Sequence, residues 1–459
     1  MKMIYNVEDR PKAGQIIVFA IQQLLAIMAA TIAVPIITNG NAGLSGSDSM
    51  SIAAALFGAG VGTLIYVLFT RAKSPVFLGS SFAFLGSMAA AFAGAVSAQA
   101  GYAGLILGAV FAGLVYVIIA VVVKYVGVEW INKLMPAVVI GPTVAIIGLS
   151  LAGSAIGDLR SPNVEGGSPL IAVLCGLVTL IVVTLCSTYG KKTVKLIPFI
   201  IGILAGYILA AFFTGIGYAA GVDALKIIDF SPITSLVDGG VTLNTFLTAP
   251  DFTFVKALKG VSAIDASYIG TVAVAYIPVA FVVFAEHIAD HKNISYIIER
   301  DLLDKPGLHR TLLGDGVGSM VGAFFGGCPN TTYGESVACV AITRNASVVT
   351  IIATSFLAIV VSFLSPVIAF LNSIPSCVMG GVCMALYGFI AVSGLKMVQK
   401  VDLNEDRNLF VVSAIMIAGI GGLTLTFGKV TLTEVATALI LGIIVNLILS
   451  PADKKNADK

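Results

Sequence analysis

The chain has 459 residues, of which 58% are hydrophobic and 11% are charged, and its formal net charge is +2. Soluble domains are about one-quarter charged, and a water-soluble chain of this length cannot bury so much apolar surface in domains of ordinary size. We therefore predict a membrane protein in contact with lipid. The small net charge and the absence of a basic stripe exclude nucleic-acid binding.

Twelve apolar runs are candidates for helices that cross a bilayer, which takes about 20 residues each. The first run is too long for the apolar region of a signal peptide, so we expect it to remain as a span. In chain order the runs cover residues 14–38, 51–70, 104–126, 135–154, 169–187, 195–215, 268–290, 312–326, 346–370, 376–396, 407–427 and 430–449.

Two further stretches, residues 75–97 and 328–344, are interrupted by polar, Gly and Pro residues where a plain span would be aliphatic. The first contains Gly79-Ser80-Ser81, and the second opens with Cys328-Pro329-Asn330. Counting both gives fourteen membrane segments, and the two interrupted ones hold the third place in each set of seven. The sequence therefore predicts an all-α polytopic membrane protein.

The positions of the Lys and Arg residues test this count independently. With a cytoplasmic N-terminus, the fourteen-segment arrangement leaves outside only five of the 26 Lys and Arg residues, namely Arg160, Lys226, Lys256, Lys259 and Lys429. This obeys the positive-inside rule. We therefore predict a multi-pass protein of the cytoplasmic membrane with both termini in the cytoplasm.

Seven crossings in each half give the halves opposite orientations, which is the inverted-repeat layout of many secondary transporters. The predicted boundaries are residues 1–215 for the first repeat, 216–267 for an extracellular connection with strand-like pieces and some amphipathic helix, 268–450 for the second repeat, and 451–459 for a cytoplasmic tail. Short interrupted segments at matching places in such repeats indicate the substrate site.

Each interruption is expected to expose the start of a half-helix, at Ser81-Phe82-Ala83 and at Tyr333-Gly334-Glu335. Interrupted backbone is tolerated at membrane depth only where it is buried or lines a cavity. The free N–H groups at a helix start favour an oxygen-bearing ligand. The alternative for either segment is a kink that serves packing only.

Ionisable residues inside predicted spans are few, and such residues are costly to insert and usually functional. Glu286 and Glu335 are candidates to accept a hydrogen bond from a ligand N–H and to bind and release a coupling proton. Asp290 lies one helical turn after Glu286, so the two form a candidate pair for proton coupling. The alternatives are helix-packing hydrogen bonds for the two glutamates and a solvated position at the membrane rim for Asp290.

Other residues suggest chemistry less strongly. Phe82 and Tyr387 are candidate walls for a flat heterocycle, and Gln23 can both donate and accept hydrogen bonds; the alternative for all three is ordinary packing. His287 and His291 have the spacing of a metal pair, but Ile288 stands where a metalloprotease motif has Glu, and no third ligand is evident. We predict no metal, no other cofactor and no enzymatic activity.

At these residues the sequence resembles the nucleobase–ascorbate transporters, also called nucleobase–cation symporter family 2, and within them the uracil permease branch. The resemblance extends from about residue 10 to about residue 450. The matching strings are Phe77-Leu-Gly-Ser-Ser-Phe-Ala-Phe84, Ile147-Gly-Leu-Ser-Leu-Ala-Gly153, Ala285-Glu286-His287, the stretch from Asp301 to Arg310, Pro329-Asn-Thr-Thr-Tyr-Gly-Glu335, Ala341-Ile-Thr-Arg344 and Leu386-Tyr387-Gly388.

The resemblance implies a core domain and a gate domain, with the substrate between two half-spans that each begin with a short strand. It implies uracil uptake by proton symport and a homodimer. It also implies that Glu286 and Glu335 bind the base, that Phe82 and Gly334 contact it through their backbones, and that Tyr333 and Tyr387 lie near the pocket.

The sequence departs from the family pattern at three places. Gln22-Gln23 stands where the family commonly has Gln-His, Ser336-Val337-Ala338 replaces an Asn-x-Gly motif, and Asp290 occupies the position of a coupling histidine in some uracil permeases. Three other functions stay open: a xanthine or urate symporter of the same fold, an anion transporter of the same layout, and a membrane metalloenzyme. A buried carboxylate pair would repel an anion.

Overall fold

A computed structural model describes residues 3–127, 130, 136–191, 193–427 and 430–457, and the chain is mostly helical within them. The helices are α1 Ala13–Ala42, α2 Ile52–Phe69, α3 Leu85–Ala93, α4 Ala98–Val126, α5 Ala137–Ser150, α6 Ala152–Leu159, α7 Pro169–Tyr189, α8 Thr193–Leu196, α9 Pro198–Ala220, α10 Ser231–Thr234, α11 Leu243–Phe246, α12 Thr253–Gly260, α13 Ala266–Ile298, α14 Leu308–Gly326, α15 Gly334–Thr343, α16 Val348–Ser362, α17 Ser365–Asn372, α18 Ser376–Val398, α19 Asp406–Ile420 and α20 Glu434–Ala457. The strands are β1 Leu78–Ser80, β2 Asn330–Thr332, β3 Leu425–Phe427 and β4 Val430–Leu432.

Several of these helices have the length and composition of membrane spans. Within the described residues there are eight, Ala13–Ala42, Gly46–Phe69, Ala98–Val126, Ala137–Leu159, Pro169–Tyr189, Pro198–Ala220, Ala266–Ile298 and Ser376–Val398. Four shorter apolar helices cover Phe82–Ala93, Gly334–Thr343, Val348–Ser362 and Glu434–Leu449. The prediction of a multi-pass membrane protein is confirmed.

The structure differs from the sequence prediction where a predicted span is not one continuous helix. The run 346–370 is divided into α16 and α17, and Pro366 lies in the first turn of α17, where its missing N–H is tolerated. The run 407–427 ends its helix at Ile420 and continues into the β3–β4 hairpin. Hydropathy windows do not detect such breaks, because the flanking residues remain apolar.

The connection 216–267 contains helix, as expected, but not the expected strand-like pieces. Its first residues extend α9 to Ala220, and the remainder forms short helices rather than strand-like pieces, with one bridge between Leu247 and Leu364. Five of the Lys residues used in the orientation argument lie outside the described residues: Lys2, Lys133, Lys192, Lys429 and Lys459.

The helices pack into two groups. We call the first group the strand-bearing bundle; it consists of α1–α4 and α12–α16 with β1 and β2. In it α14 packs on α2 and α4, and α16 packs on α2. We call the second group the outer bundle; it consists of α5–α9 and α18–α20. In it α18 packs on α5 and α7, and α19 packs on α5 and α20.

Glycines allow α2 and α14 to approach at backbone distance. A Cβ atom at Gly58 would lie 2.5 Å from the carbonyl oxygen of Gly322, and one at Gly62 would lie 2.7 Å from that of Gly318. Small residues at such crossings replace the hydrophobic driving force that is missing between helices in lipid. This close contact holds the two helices that flank the strands.

Strands β1 and β2 pair antiparallel, with Leu78 opposite Thr332 and Ser80 opposite Asn330. Thr63 binds the outer edge of β1, and the Asn330 side chain joins β2 to α2. The N–H of Leu78 donates to Thr63 Oγ1 at 2.9 Å, and the Asn330 amide donates to the carbonyl oxygen of Gly58 at 3.2 Å. Because α3 and α15 follow the two strands, the antiparallel pairing sends these short helices away from opposite ends of the ribbon.

Residues 4–9 form an N-terminal strap across the end of α15. The N–H of Ile4 donates to the carbonyl oxygen of Arg344 at 2.8 Å, and the N–H of Ala346 donates to that of Tyr5 at 2.9 Å. An ion pair joins Arg300 to Glu8 at 2.5 Å. The strap therefore connects the loop after α15 to the end of α13.

We expect Gly58→Val to lower the melting temperature of the detergent-solubilised protein. The new side chain would clash with the backbone of α14, and overpacking of this kind costs about 1–3 kcal/mol. Differential scanning fluorimetry measures the effect. The matched control is Gly215→Ala, because a Cβ at Gly215 in α9 would have no neighbour within 4 Å. An unchanged melting temperature for Gly58→Val would contradict the close crossing.

Candidate functional site

A cavity of about 490 Å³ lies between the two bundles, within the range of small-molecule sites. Both interrupted segments reach its wall. The strand-bearing bundle contributes Ala26, Ser81, Phe82, Ala83, Glu286, Ala289, Asp290, Thr331, Thr332, Tyr333, Gly334, Glu335, Ala338, Cys339 and Ile342. The outer bundle contributes Val144, Ile147, Ser187, Lys195, Pro198, Phe199, Leu386, Phe389, Ile390, Ser393 and Met397.

Three half-buried carboxylates share this wall. Glu286 and Asp290 lie one turn apart on α13, and Glu335 is the second residue of α15. The Thr332 hydroxyl donates to Asp290 Oδ2 at 2.8 Å. Ionised carboxylates only accept hydrogen bonds, so the cavity presents a group of acceptors.

Donors come from the starts of the two short helices. Both predicted trios, Ser81-Phe82-Ala83 and Tyr333-Gly334-Glu335, line the cavity. The first N–H groups of a helix have no partner inside the helix and carry its positive dipole end. A Cβ at Gly334 would come no closer than 3.9 Å to Asp290 Oδ1, so a ligand can approach the backbone there.

Tyr333 lines the cavity but is 4% exposed, and its hydroxyl donates to the carbonyl oxygen of Ser80 at 2.8 Å. A Cβ at Gly79 would lie 2.4 Å from the Tyr333 ring. Glycine at position 79 therefore gives the ring its space. Through Tyr333 the start of α15 is bonded to the strand that precedes α3.

Two predicted substrate contacts, Tyr387 and Gln23, are not among the described residues that line the cavity. The Tyr387 ring packs edge-to-face on Phe82, with 6.0 Å between ring centroids. The Gln23 amide donates to Ser336 Oγ at 2.6 Å, which also accepts the N–H of Phe77 at 2.9 Å. Both residues thus support wall-forming segments, and their direct contact with substrate stays a prediction.

The sequence analysis missed several residues of the wall. Thr332 lies inside the matching string that ends at Glu335, and its position before the half-helix was the available signal. Lys195 entered the sequence analysis only as one of the Lys and Arg residues assigned to the cytoplasmic side. The apolar residues of the outer bundle, such as Phe199 and Phe389, carry no signal that separates them from lipid-facing residues.

The Permease family model matches residues 14–427. This chain belongs to that permease family. The permease is 36% identical over 451 residues to the uracil permease of Bacillus caldolyticus, covering 98% of this chain and 95% of that protein. It is 35% identical over 467 residues to the uracil permease of Bacillus subtilis (strain 168), covering 100% of this chain and 98% of that protein. The resemblance to the uracil permease branch is confirmed, and the permease is a multi-pass membrane transporter.

Solved structures support the fold. The transmembrane domain of the cyanobacterial bicarbonate transporter BicA aligns with a TM-score of 0.60 at 13% identity, covering 96% of the permease and 98% of that chain. The murine Slc26a9 anion transporter in its inward-facing state aligns with a TM-score of 0.64 at 10% identity, covering 97% of the permease and 70% of that chain. At these identities the likeness concerns the fold alone.

We expect Ser336→Ala to destabilise the permease and to weaken ligand binding. It would leave two buried donors, the Gln23 amide and the Phe77 N–H, without their shared acceptor, at a cost of about 1–3 kcal/mol each. A double-mutant cycle with Gln23→Ala, read by melting temperature, should show non-additive losses because both changes break one bond. Additive losses would contradict a direct Gln23–Ser336 interaction.

Proposed function

We propose that the permease imports uracil by proton symport across the cytoplasmic membrane. The observation that carries the proposal is one cavity with three carboxylates, Glu286, Asp290 and Glu335, facing the starts of two short helices. The relatives named uracil permease give the substrate class. Uracil alternates C=O and N–H groups around its ring, so it needs both acceptors and donors.

In this proposal Glu286 and Glu335 accept the ring N–H groups, while backbone N–H groups at Phe82 and Gly334 donate to the ring carbonyls. Tyr333 holds the start of α15 in place, and Ser81 and Ala83 shape the other helix start. Tyr387 supports the Phe82 ring, and Gln23 acts through Ser336. A xanthine or urate symporter of the same fold is the alternative, and competition by purines distinguishes it.

Proton coupling is assigned to the same carboxylates. If Glu286, Asp290 and Glu335 bind a proton as a coupled set, one proton lowers their mutual repulsion and lets the loaded site form. Release of the proton into the cytoplasm then restores the repulsion and helps the base to leave. The permease needs no metal and no other cofactor for this cycle.

The proposed topology has fourteen segments in two inverted repeats, residues 1–215 and 268–450, with both termini in the cytoplasm. The strand-bearing bundle serves as the core domain and the outer bundle as the gate domain. Relative movement of the bundles opens the cavity to each side of the membrane in turn. The unit is a homodimer in the lipid bilayer.

The main test is uptake of radiolabelled uracil into proteoliposomes, with and without an inward proton gradient. We expect gradient-dependent accumulation that unlabelled uracil competes and xanthine does not. Competition by xanthine instead would move the substrate to a purine. Chloride- or bicarbonate-dependent flux without uracil uptake would favour the anion transporter.

We expect Glu335→Gln to abolish uracil uptake while the protein still inserts into the membrane. The amide cannot take up a proton, and it replaces an acceptor-only group by one that also presents donors. Glu165→Gln, at an exposed position in the described part of the chain, is the matched control and should transport normally. Near-normal uptake by Glu335→Gln would remove Glu335 from the site.

A further inference from the structure

Helix α13 carries a second pair of ionisable residues beside the two carboxylates of the cavity. His287 follows Glu286, and His291 follows Asp290. Consecutive residues of a helix point about 100° apart. Both histidines are 0% exposed, and neither is among the described residues that line the cavity. Their side of α13 faces α14 and α2, so one helix presents carboxylates to the cavity and imidazoles to the interior of the strand-bearing bundle.

His287 binds two residues of α14. Its Nδ1 atom lies 2.7 Å from Asp315 Oδ2, and its Nε2 atom lies 3.0 Å from Thr311 Oγ1. Asp315 is 1% exposed. The Thr311 hydroxyl donates its proton to the carbonyl oxygen of Leu308 at 3.0 Å, so Oγ1 is an acceptor for His287 and Nε2 carries a hydrogen.

Because Nε2 already carries a hydrogen, only the position of the second proton, in the hydrogen bond between His287 and Asp315, is left to assign. One proton lies between Nδ1 and Oδ2, bonded either to the imidazole or to the carboxyl group. In both cases the pair as a whole is neutral. The pair can therefore hold two helices together inside the bundle without placing a net charge there.

His291 ties the next turn of α13 to α2. Its Nδ1–H donates to the carbonyl oxygen of His287 at 2.8 Å, and its Nε2 atom lies 2.7 Å from the Tyr66 hydroxyl oxygen. That oxygen lies 2.7 Å from Ser74 Oγ. The rings of His287 and His291 stack with their centroids 4.0 Å apart. The two histidines thus attach two successive turns of α13 to two different helices.

We propose that Asp315 is a positioning residue for the substrate site: with His287 it fixes the rotation of α13, and so the direction in which Glu286 and Asp290 enter the cavity. The proposal rests on the proposed function for its substrate. Any rotation of α13 that moves the carboxylates would separate Asp315 from His287, and unpaired polar groups in a bundle interior are costly.

Two substitutions separate positioning from proton transfer. In Asp315→Asn the new amide donates to Nδ1 of a neutral His287, so the contact survives without a titratable group. In Asp315→Ala the contact is lost. We expect uracil affinity within about threefold of wild type for Asn and at least about tenfold weaker for Ala, since a lost buried hydrogen bond is worth about that much. The Asn variant should also keep the wild-type pH profile of uptake.

A second measurement does not depend on uracil. Carbodiimide labelling of Glu286, followed by peptide mass spectrometry, reports how this carboxyl group faces the cavity. We expect a changed labelling rate in Asp315→Ala and the wild-type rate in Asp315→Asn. Tyr66→Phe, which removes the hydroxyl next to His291, is a milder variant. It should also change the labelling rate, and it serves as the test if Asp315→Ala does not fold.

The matched control is Tyr207→Phe, which removes a hydrogen bond of 2.8 Å to Ser373; neither residue is among the described residues that line the cavity. It should leave uracil affinity and Glu286 labelling unchanged. Wild-type affinity and labelling in Asp315→Ala would overturn the proposal, and so would an Asn variant as defective as Ala. If the wild-type protein binds no uracil, the proposed function fails, and the labelling comparison alone decides the positioning role.

Discussion

The structure depends on one constraint: a chain that is interrupted inside a membrane must still satisfy its backbone N–H and C=O groups. The permease meets it by pairing β1 with β2 and by binding Leu78, on the outer edge of β1, to Thr63. The Asn330 side chain in turn joins β2 to α2. The glycine contacts between α2 and α14 bring these partners within reach. The starts of the two short helices lie at the cavity.

Helix α13 shows how binding and packing are divided within one element. Its carboxylates lie on the cavity wall, and the residues directly after them, His287 and His291, lie in the bundle interior. A rotation of α13 that moves the two histidines therefore also moves the two carboxylates. This places Asp315, which does not touch the cavity in the described structure, among the residues that define it.

The sequence predicted the parts of the site that have a local signal. Gly and Pro residues indicated both interruptions, and the rarity of charge within apolar runs indicated Glu286 and Glu335. It did not predict that Gln23 would bind Ser336, or that Tyr387 would pack behind Phe82, since hydropathy gives no direction to a side chain on an apolar helix. The sequence also did not predict the break between α16 and α17, because apolar residues continue on both sides of it.

The N-terminal strap has a practical consequence. Its hydrogen bonds end at the loop after α15, and Glu335 lies at the other end of that ten-residue helix, about 15 Å away. A fluorophore or spin label on the strap would follow the motion of this helix without entering the cavity. A bulky fusion partner on the strap would restrict the motion of α15. Reporter proteins are therefore better attached at the C-terminus.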